Sequence, residues 1–437
     1  MSTISYGALI RGNRNFRLWW GGQIVSQLGD WFSSITVQAL LLSYTHNATS
    51  LLGFMVASML PNFLLGPLAG VIVDRLPRKT VMIAADAGRA VIALGLLCFH
   101  GPSTIWIAYA CVAGMSTLTA FFEPARISTL PKITSDEELV TANALSSVTW
   151  SVLLTSGAVI GGLVGRYLGP QAAFILNSAS FVGSALLLRR MQVPPTDRGE
   201  AGGHGYTDLL NGFRYVSQHR QVLGALTAKL GWGLAGGLQV VIPIYGAQRF
   251  PLPNDAAGQL TISLLFAASG LGTALGPLIA RKLTGRAIPR LRWAIAISFV
   301  MGGLYMMGMA GARNLFTASL FLLLARTHGA VVWVFSTVLL QILTKDCFRG
   351  RVFAAEISLF TGSMMLSSLA VSRALDNHLL SVPQVTSALG LVSIVVGLIW
   401  IANVARGGFP NTGGGKVQKA EKSGATAGGA ASSQGAS

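Results

Sequence analysis

The sequence predicts an all-α membrane protein, with twelve transmembrane helices in two pseudo-symmetric bundles of six. Three observations carry this expectation. Of the 437 residues 52% are apolar and only 11% charged, whereas a soluble domain carries about a quarter charged residues. Polar residues are too scarce to cover a core of this size with a wettable surface, so lipid must replace water around it. The apolar residues also fall into runs close to the ~20 residues a helix needs to cross a bilayer core. Finally, short segments of the first half return in the second at a nearly constant offset.

The first six spans are expected at Leu18–Leu42, Leu51–Val73, Val81–Phe99, Thr104–Phe122, Ala142–Val164 and Ala172–Leu188. The second six are expected at Val222–Tyr245, Ile262–Ala280, Trp293–Ala310, Phe316–Leu343, Val352–Ala374 and Val385–Val404. These runs are too long for strands and lack period-two alternation, which excludes a barrel. Arg11, Arg14 and Arg17 precede the first run, and no A-x-A site follows it. The run is therefore expected to stay as a span and not to be removed as a signal peptide. Trp19, Trp106, Trp293 and Trp400 lie near span ends, where interfacial anchors belong.

The formal charge of +17 comes from 32 Lys and Arg against 15 Asp and Glu. With the N-terminus in the cytoplasm, 25 of the basic residues fall on the cytoplasmic side and four on the other, Arg166, Arg249, Arg313 and Arg373. Arg89, Lys229 and Arg326 fall inside spans. The positive-inside rule explains such a bias without nucleic acid, and it puts both termini in the cytoplasm of a cell's inner or plasma membrane.

Residues 1–190 form the first bundle, 191–221 a cytoplasmic linker, 222–405 the second bundle and 406–437 a disordered tail. The linker begins with Pro194-Pro195 as a flexible stretch. It ends with Leu209, Leu210, Phe213 and Val216 at helical spacing, the pattern of an amphipathic helix lying on the membrane. The repeat consists of Gly66-Pro67-Leu68 with Gly276-Pro277-Leu278, and Leu130-x-Lys132 with Leu343-x-Lys345. Paired six-helix repeats place a substrate site between them near mid-membrane.

Enzyme chemistry finds no support. The chain has no G-x-x-x-x-G-K-[ST], H-E-x-x-H or G-x-S-x-G pattern, and its six histidines are scattered. None of the three cysteines belongs to a C-x-x-C pair. No cofactor, metal or nucleic-acid partner is expected. The expected partners are a small-molecule substrate, a coupling ion and the lipid bilayer, with the chain acting as a monomer.

After helix 2 the chain reads Gly70-Val71-Ile72-Val73-Asp74-Arg75-Leu76-Pro77-Arg78-Lys79. This resembles the G-x-x-x-D-R-x-x-R-[RK] loop of the major facilitator superfamily. Gln27-Leu28-Gly29-Asp30-Trp31, Phe122-Glu123-Pro124-Ala125, Ala142-Asn143-Ala144-Leu145 and Arg349-Gly350-Arg351-Val352-Phe353 resemble the branch with the enterobactin exporter and macrolide efflux proteins. The resemblance covers all but the tail and implies the major facilitator fold. It also implies a cytoplasmic gate in which Asp74 caps the start of helix 11, near Arg351, with a cationic partner at the base of helix 4, for which Arg126 is the candidate. A carboxylate suits the positive end of a helix dipole. The gate group is Gly70, Asp74, Arg75, Arg78, Lys79, Glu123, Arg126, Arg351 and Glu356. The positions 210 residues on are Ala280, Thr284 and Gly285, so the gate is expected on one side only. Gly157, Gly161 and Gly162 on helix 5 resemble the end of an exporter glycine element, and small residues also let any two membrane helices pack closely.

A charge inside a span is costly and marks a functional candidate. At ~1.5 Å per residue, Asp30 lies about 18 Å beyond Leu18, and Arg326 about 15 Å beyond Phe316. Both sit near mid-membrane on helices that, by the resemblance, line the central cavity. Asp30 is expected to exchange the coupling proton, since a carboxylate in a low-dielectric cavity binds protons more tightly. Arg326 is expected to be its charge partner or an anion site. Lys229 and His328 are further candidates, although Lys229 could snorkel to the cytoplasmic end and His328 could be a neutral bond between helices. Asp86 with Arg89, and Glu123 with Arg126, have the i,i+3 spacing of ion pairs on one helix. The whole predicts proton-coupled efflux of a small amphipathic compound, such as a drug or siderophore, by alternating access. The competing expectations are lysophospholipid flipping and a non-transporting sensor or scaffold.

Overall fold

The computed structural model describes residues 4–193, 214–253, 255, 257–284, 288–344 and 349–406, and their regular structure is helical throughout. A short helix, Tyr6–Gly12, lies ahead of the first long one. The long helices of the first half are α1 Arg14–Thr45, α2 Thr49–Arg75, α3 Arg78–Gly95, α4 Ile105–Ile133, α5 Asp136–Tyr167 and α6 Gly169–Arg189. In the second half α7 comes in two pieces, Arg220–Leu234 and Leu238–Ile244. It is followed by α8 Gln259–Thr284, α9 Ile288–Ala310, α10 Leu315–Leu343, α11 Arg349–Asp376 and α12 Val382–Ala405. Eleven stretches among the described residues are long and apolar enough to cross a bilayer. The twelfth, α1, has 32 residues, ample length at ~1.5 Å each. Its apolarity is diluted by Gln23, Gln27, Asp30, Ser33, Ser34 and Gln38.

Helix pairing follows the internal repeat. In the first half α2 packs on α4, α3 on α4 and α6, and α1 on α5 and α6. In the second half α8 packs on α10, α9 on α10 and α12, and α7 on α11. Each pairing of the first set recurs six helices later, α1 with α6 as a slighter contact of α7 with α12, where Gly231 lies against Val396.

Three expectations need correction. Helix 4 does not end at Phe122 but continues through Pro124 and Pro131 to Ile133. Side chains support this stretch: the Ser128 and Thr129 hydroxyls donate to the Ala125 carbonyl, and Arg78 donates to the Ser128 carbonyl at 2.7 Å. Helix 7 is not continuous, because Gly233, Gly236 and Gly237 let α11 press against its backbone. The Ser367 hydroxyl meets both backbone groups freed there, donating to the Leu234 carbonyl at 2.6 Å and accepting from Gly237 N–H at 3.1 Å. Among the four tryptophans expected as anchors, Trp106 and Trp293 are exposed, but Trp19 and Trp400 are buried. Trp19 instead donates its indole N–H to the Arg126 carbonyl. The linker from 194 to 213 and the tail from 407 lie outside the described residues; residues 214–218, at the linker's end, are helical.

The two halves meet unequally at the two ends of the molecule. Call the end bearing Arg14, Arg75 and Arg78 the basic face, and the other the far face. Two apolar clusters serve the basic face, and each draws on one half alone. One is built around Phe16, Met82 and Phe122, the other around Val222, Phe335 and Val352. Toward the far face a single cluster mixes both halves, joining Ile35, Leu42, Leu51 and Met55 to Leu238, Ile262, Met309 and Val385. A polar clasp lies beside it. Asp376 ends α11 and caps α2 of the other half, accepting from Ala48 N–H at 2.6 Å, Thr49 N–H at 2.8 Å and the Thr49 hydroxyl at 2.5 Å. Ala48 at the N-cap of α2 offers no side-chain acceptor and Asn47 Oδ1 takes only Ser50 N–H, so the carboxylate meets the remaining orphan amides and the positive dipole end together. Among the described residues, the mixed cluster and the clasp join the halves at the far face, while the two basic-face clusters do not cross between them.

Asp376→Asn is expected to loosen the far face. A charged cap contributes about 1 kcal/mol, so the far-face-open population should rise about fivefold. Electron-resonance distances between spin labels at Asn47 and Asn377 would register it as a growing long-distance component; an unchanged distribution would show that the clasp contributes nothing.

Candidate functional site

Three of the four carboxylates placed inside the bundle have cationic partners. On α3 Asp86 pairs with Arg89 and also accepts from the Ser184 hydroxyl of α6 at 2.7 Å. The Arg89 guanidinium lies between the Phe122 and Phe181 rings, 4.3 and 4.6 Å from their centroids. On α4 Glu123 pairs with Arg126 at 2.8 Å. Arg126 also donates to Gln23 Oε1 at 3.2 Å and lies over the Trp19 ring. Both i,i+3 pairs follow from helix geometry, which stacks such positions on one face.

The third pair joins two residues that sequence reasoning kept apart. Lys229 Nζ of α7 lies 2.8 Å from Glu356 Oε1 of α11, and both side chains are at most 3% exposed. The ammonium also donates to Thr337 Oγ1 at 2.9 Å and sits 3.9 Å from the Trp333 ring centroid. Lys229 therefore does not snorkel outward; a carboxylate, a hydroxyl and an indole face hold it inside the half. Trp232, Trp333 and Phe360 cluster one turn further on, with centroids 5.1–5.3 Å apart; Trp232 stacks on Phe360, and Trp333 meets Phe360 edge-on.

Asp30 is the exception. It is exposed and lines a cavity of about 280 Å³ with Gln27, Trp31, Ser34, Trp150, Leu153 and Leu154. The expected pairing with Arg326 is not made. Arg326 is half-buried and donates Nε–H to Ser269 Oγ of α8 at 2.8 Å, within the second half. Neither residue reaches the other because each is held in the wall of its own half. His328 faces α9: its Nδ1 is 3.4 Å from Ser298 Oγ and its ring stacks on Tyr305. It serves the α9–α10 contact and does not line the Asp30 cavity.

The gate group is only partly placed. Arg78 is tied to α4 as described, and Lys79 donates to the Met191 carbonyl at 2.7 Å, so both brace the first half. Arg75 is exposed. The side chains of Gly70's neighbour Val71, of Asp74 and of Arg351 lie outside the described residues, as does the surface of Gly70 itself. Arg126, the proposed partner of Asp74, is held by Glu123 and Gln23. On α5 Gly157 and Gly161 lie against Trp31, and a Cβ on Gly161 would come 2.8 Å from the Trp31 carbonyl oxygen. Gly162 lies against Ser263 and Gln259 of α8. These glycines make the close helix packing that their size allows.

Sequence reasoning missed the company that Asp30 keeps. Gln23, Gln27, Asp30, Ser34 and Gln38 recur at four- and three-residue steps, one face of a helix. Gln23 meets Arg126 and Ser146, Gln27 lines the cavity, and Gln38 donates to the Ser34 carbonyl and hydroxyl. The polar stripe was present in the sequence; singling out the charge hid it.

The model of the family described as Major Facilitator Superfamily matches residues 19–368. Among curated relatives, the MFS-type transporter YfiS of Bacillus subtilis is 25% identical, covering 82% of this chain and 86% of its own. The MFS-type transporter y4rN of Sinorhizobium fredii is 31% identical, covering 69% and 74%. A Bacillus subtilis protein named as a bacilysin exporter, BacE, is 25% identical over 80% and 87%. Among solved structures, the nucleoside transporter NupG aligns with a TM-score of 0.68 at 12% identity, over 89% of this chain and 99% of that one. A POT peptide transporter aligns at 0.69 and 12%, over 93% and 96%. At such identities the structures speak for the fold alone.

Lys229→Ala is expected to destabilise the second half by about 3–5 kcal/mol, because it strands a buried carboxylate. Replacing both partners, Lys229→Met with Glu356→Met, should recover most of the loss. Thermal unfolding in detergent checks this: equal loss in the single and double variants would mean the pair contributes packing only.

Proposed function

We propose that this chain, which belongs to the Major Facilitator Superfamily, is a proton-coupled exporter of a small amphipathic compound in a bacterial plasma membrane, with its basic face in the cytoplasm. The coarser part is plain: the chain is a multi-pass membrane protein and a secondary transporter, not an enzyme. Coupling, direction and orientation are the proposal.

The observation that carries it is Asp30. An ionisable group halfway along a span is retained at a cost, and where the role is structural that cost is met by a fixed partner. Asp86, Glu123 and Glu356 have such partners; Asp30 has a cavity instead. A carboxylate there can take a proton from one side and release it to the other as the halves rock. A far face joined across the halves, with basic-face clusters that do not cross, supports a cytoplasm-open stage of that cycle, and the excess of Lys and Arg on the basic face supports the orientation. Export is supported by the relative named as a bacilysin exporter.

The remaining parts follow from this. Glu123, Arg126 and Gln23 form the basic-face end of the polar stripe, with Asp30 further along α1. The Lys229–Glu356 pair and the Trp232, Trp333 and Phe360 cluster stiffen the opposite wall. The Asp376 clasp must release when the far face opens, and a contact from Asp74 to α11 would replace it at the basic face.

Asp30→Asn keeps shape and polarity but cannot carry a proton. In liposomes with an imposed pH gradient, its substrate flux should fall to the level seen without a gradient, with thermal stability unchanged or raised. Gradient-driven flux at the wild-type level, with the same pH dependence, would remove Asp30 from coupling.

A further inference from the structure

The cavity between α1 and α5 carries one charge and nothing to neutralise it. Asp30 is the only charged residue lining it, and among the described residues no hydrogen bond or ion pair reaches its carboxylate. The guanidinium groups of the same half are already taken, Arg89 by Asp86 and Arg126 by Glu123. One turn earlier on α1, Gln27 Oε1 also lacks a hydrogen-bond partner. That oxygen can turn toward a newcomer without breaking a bond. Three positions separate the two acceptors, about 4.5 Å along the helix axis, a gap that one bound N–H donor group can bridge.

The walls are aromatic and apolar. Trp31 is wedged from behind: Phe266 packs on it with centroids 5.9 Å apart, and a Cβ on Gly157 would come 2.6 Å from its ring. Trp150 of α5 is 50% exposed, an indole surface that no other ring covers among the described residues. Leu153 and Leu154 add aliphatic lining. Indole faces attract both cations and flat rings. Every lining residue belongs to α1 or α5, so the site is complete within the first half.

We infer that the transported compound is an organic cation, a protonated primary amine whose ammonium takes the Asp30 carboxylate and Gln27 Oε1 while an aromatic body lies against Trp31 and Trp150. This deepens the transporter reading and rests on it. An ammonium presents three donors and no acceptor, which suits a lining that offers acceptors beside the charge. An anion would set two negative charges together in a low dielectric, and a zwitterion would bring a carboxylate for which the lining holds no cation. The 280 Å³ volume is close to the lower bound for small-molecule sites, about 300–1,000 Å³, and suits a body of one or two fused rings. Proton and ammonium claim the same carboxylate. Amine binding to the protonated site therefore breaks the Asp30 O–H bond, and the proton leaves to water.

The test is calorimetric titration of the full-length protein in nanodiscs with four indoles: tryptamine (cation), tryptophol (neutral), indole-3-propionate (anion) and tryptophan (zwitterion). A charge-assisted hydrogen bond changes affinity by roughly ten- to a hundredfold, so tryptamine should bind more tightly than the other three by about that factor. Asp30→Asn should bring tryptamine down to tryptophol, and Asp30→Glu should restore part of the difference. Trp150→Ala should weaken both alike, which separates charge from packing. Repeating the tryptamine titration in buffers of different ionisation enthalpy should show proton release that rises toward one per amine as pH falls. Any of the other three binding as tightly as tryptamine, no binding by any of the four, or no proton release at any pH overturns the proposal. Asp30-dependent, gradient-driven flux of tryptophol with no preference for tryptamine would overturn the cation and leave the proton-coupled transporter standing. Tryptamine binding that needs Asp30, without gradient-driven flux, would leave the cation site and sink the transport reading.

Discussion

A charge in a low-dielectric interior must find an opposite charge, and the side of the molecule on which it finds one decides what can move. Here each matched pair is complete within one half. Asp86–Arg89 and Glu123–Arg126 belong to the first six helices, and Lys229–Glu356 to the second. Breaking a buried pair costs several kcal/mol, so a pair spanning the halves would lock them or impose a large barrier on each cycle. With pairing kept local, one half can turn against the other without separating any of these three. Asp30, outside these pairs, lines a cavity of the first half instead.

The contacts that do cross between the halves are of a cheaper kind. Beside the mixed apolar cluster, the far face is held by a carboxylate on backbone amides. Such a cap is worth about a kcal/mol and is replaceable by water once exposed. A gate at Asp74, as the family resemblance implies it, would use the same chemistry in mirror image, a carboxylate ending α2 against the start of α11, where Asp376 ends α11 against the start of α2. Two weak, similar clasps on opposite faces, if Asp74 makes the second, would bring the alternative states close in free energy, and small differences in binding would then shift the balance.

Much of this was legible in the sequence for a simple reason: hydrocarbon permits few backbone solutions. Length and apolarity located the spans, and the i,i+3 charges of α3 and α4 announced pairs that one helix makes by itself. Legibility failed where the decisive neighbour lies far along the chain. Lys229 and Glu356 are 127 positions apart, and nothing local marks them as partners. Asp376 and Thr49 are further apart still. The break in α7 was written in Gly233, Gly236 and Gly237, but an apolar run reads as continuous until α11 is seen pressing on it. Helix α4 outlasts its apolar run, which ends near Phe122, because hydroxyl donors of Ser128 and Thr129 and the guanidinium of Arg78 support the stretch through Pro124 and Pro131.

Helix α5 deserves a mechanical description. One side, at Gly157 and Gly161, beds onto Trp31, and the adjoining side, at Gly162 and Gly165, beds onto Ser263 and Gln259 of α8, while Gly270 of α8 beds back onto Thr155. Ridges of interlocked large side chains hold helices in register, as teeth hold gears; a track of bare backbone has no teeth. If the halves rock as proposed, the α5–α8 contact would serve as a plain bearing, on which two bodies roll while staying in touch. Friction on that track, set by single methyl groups, would govern how fast the molecule turns over without altering what it binds.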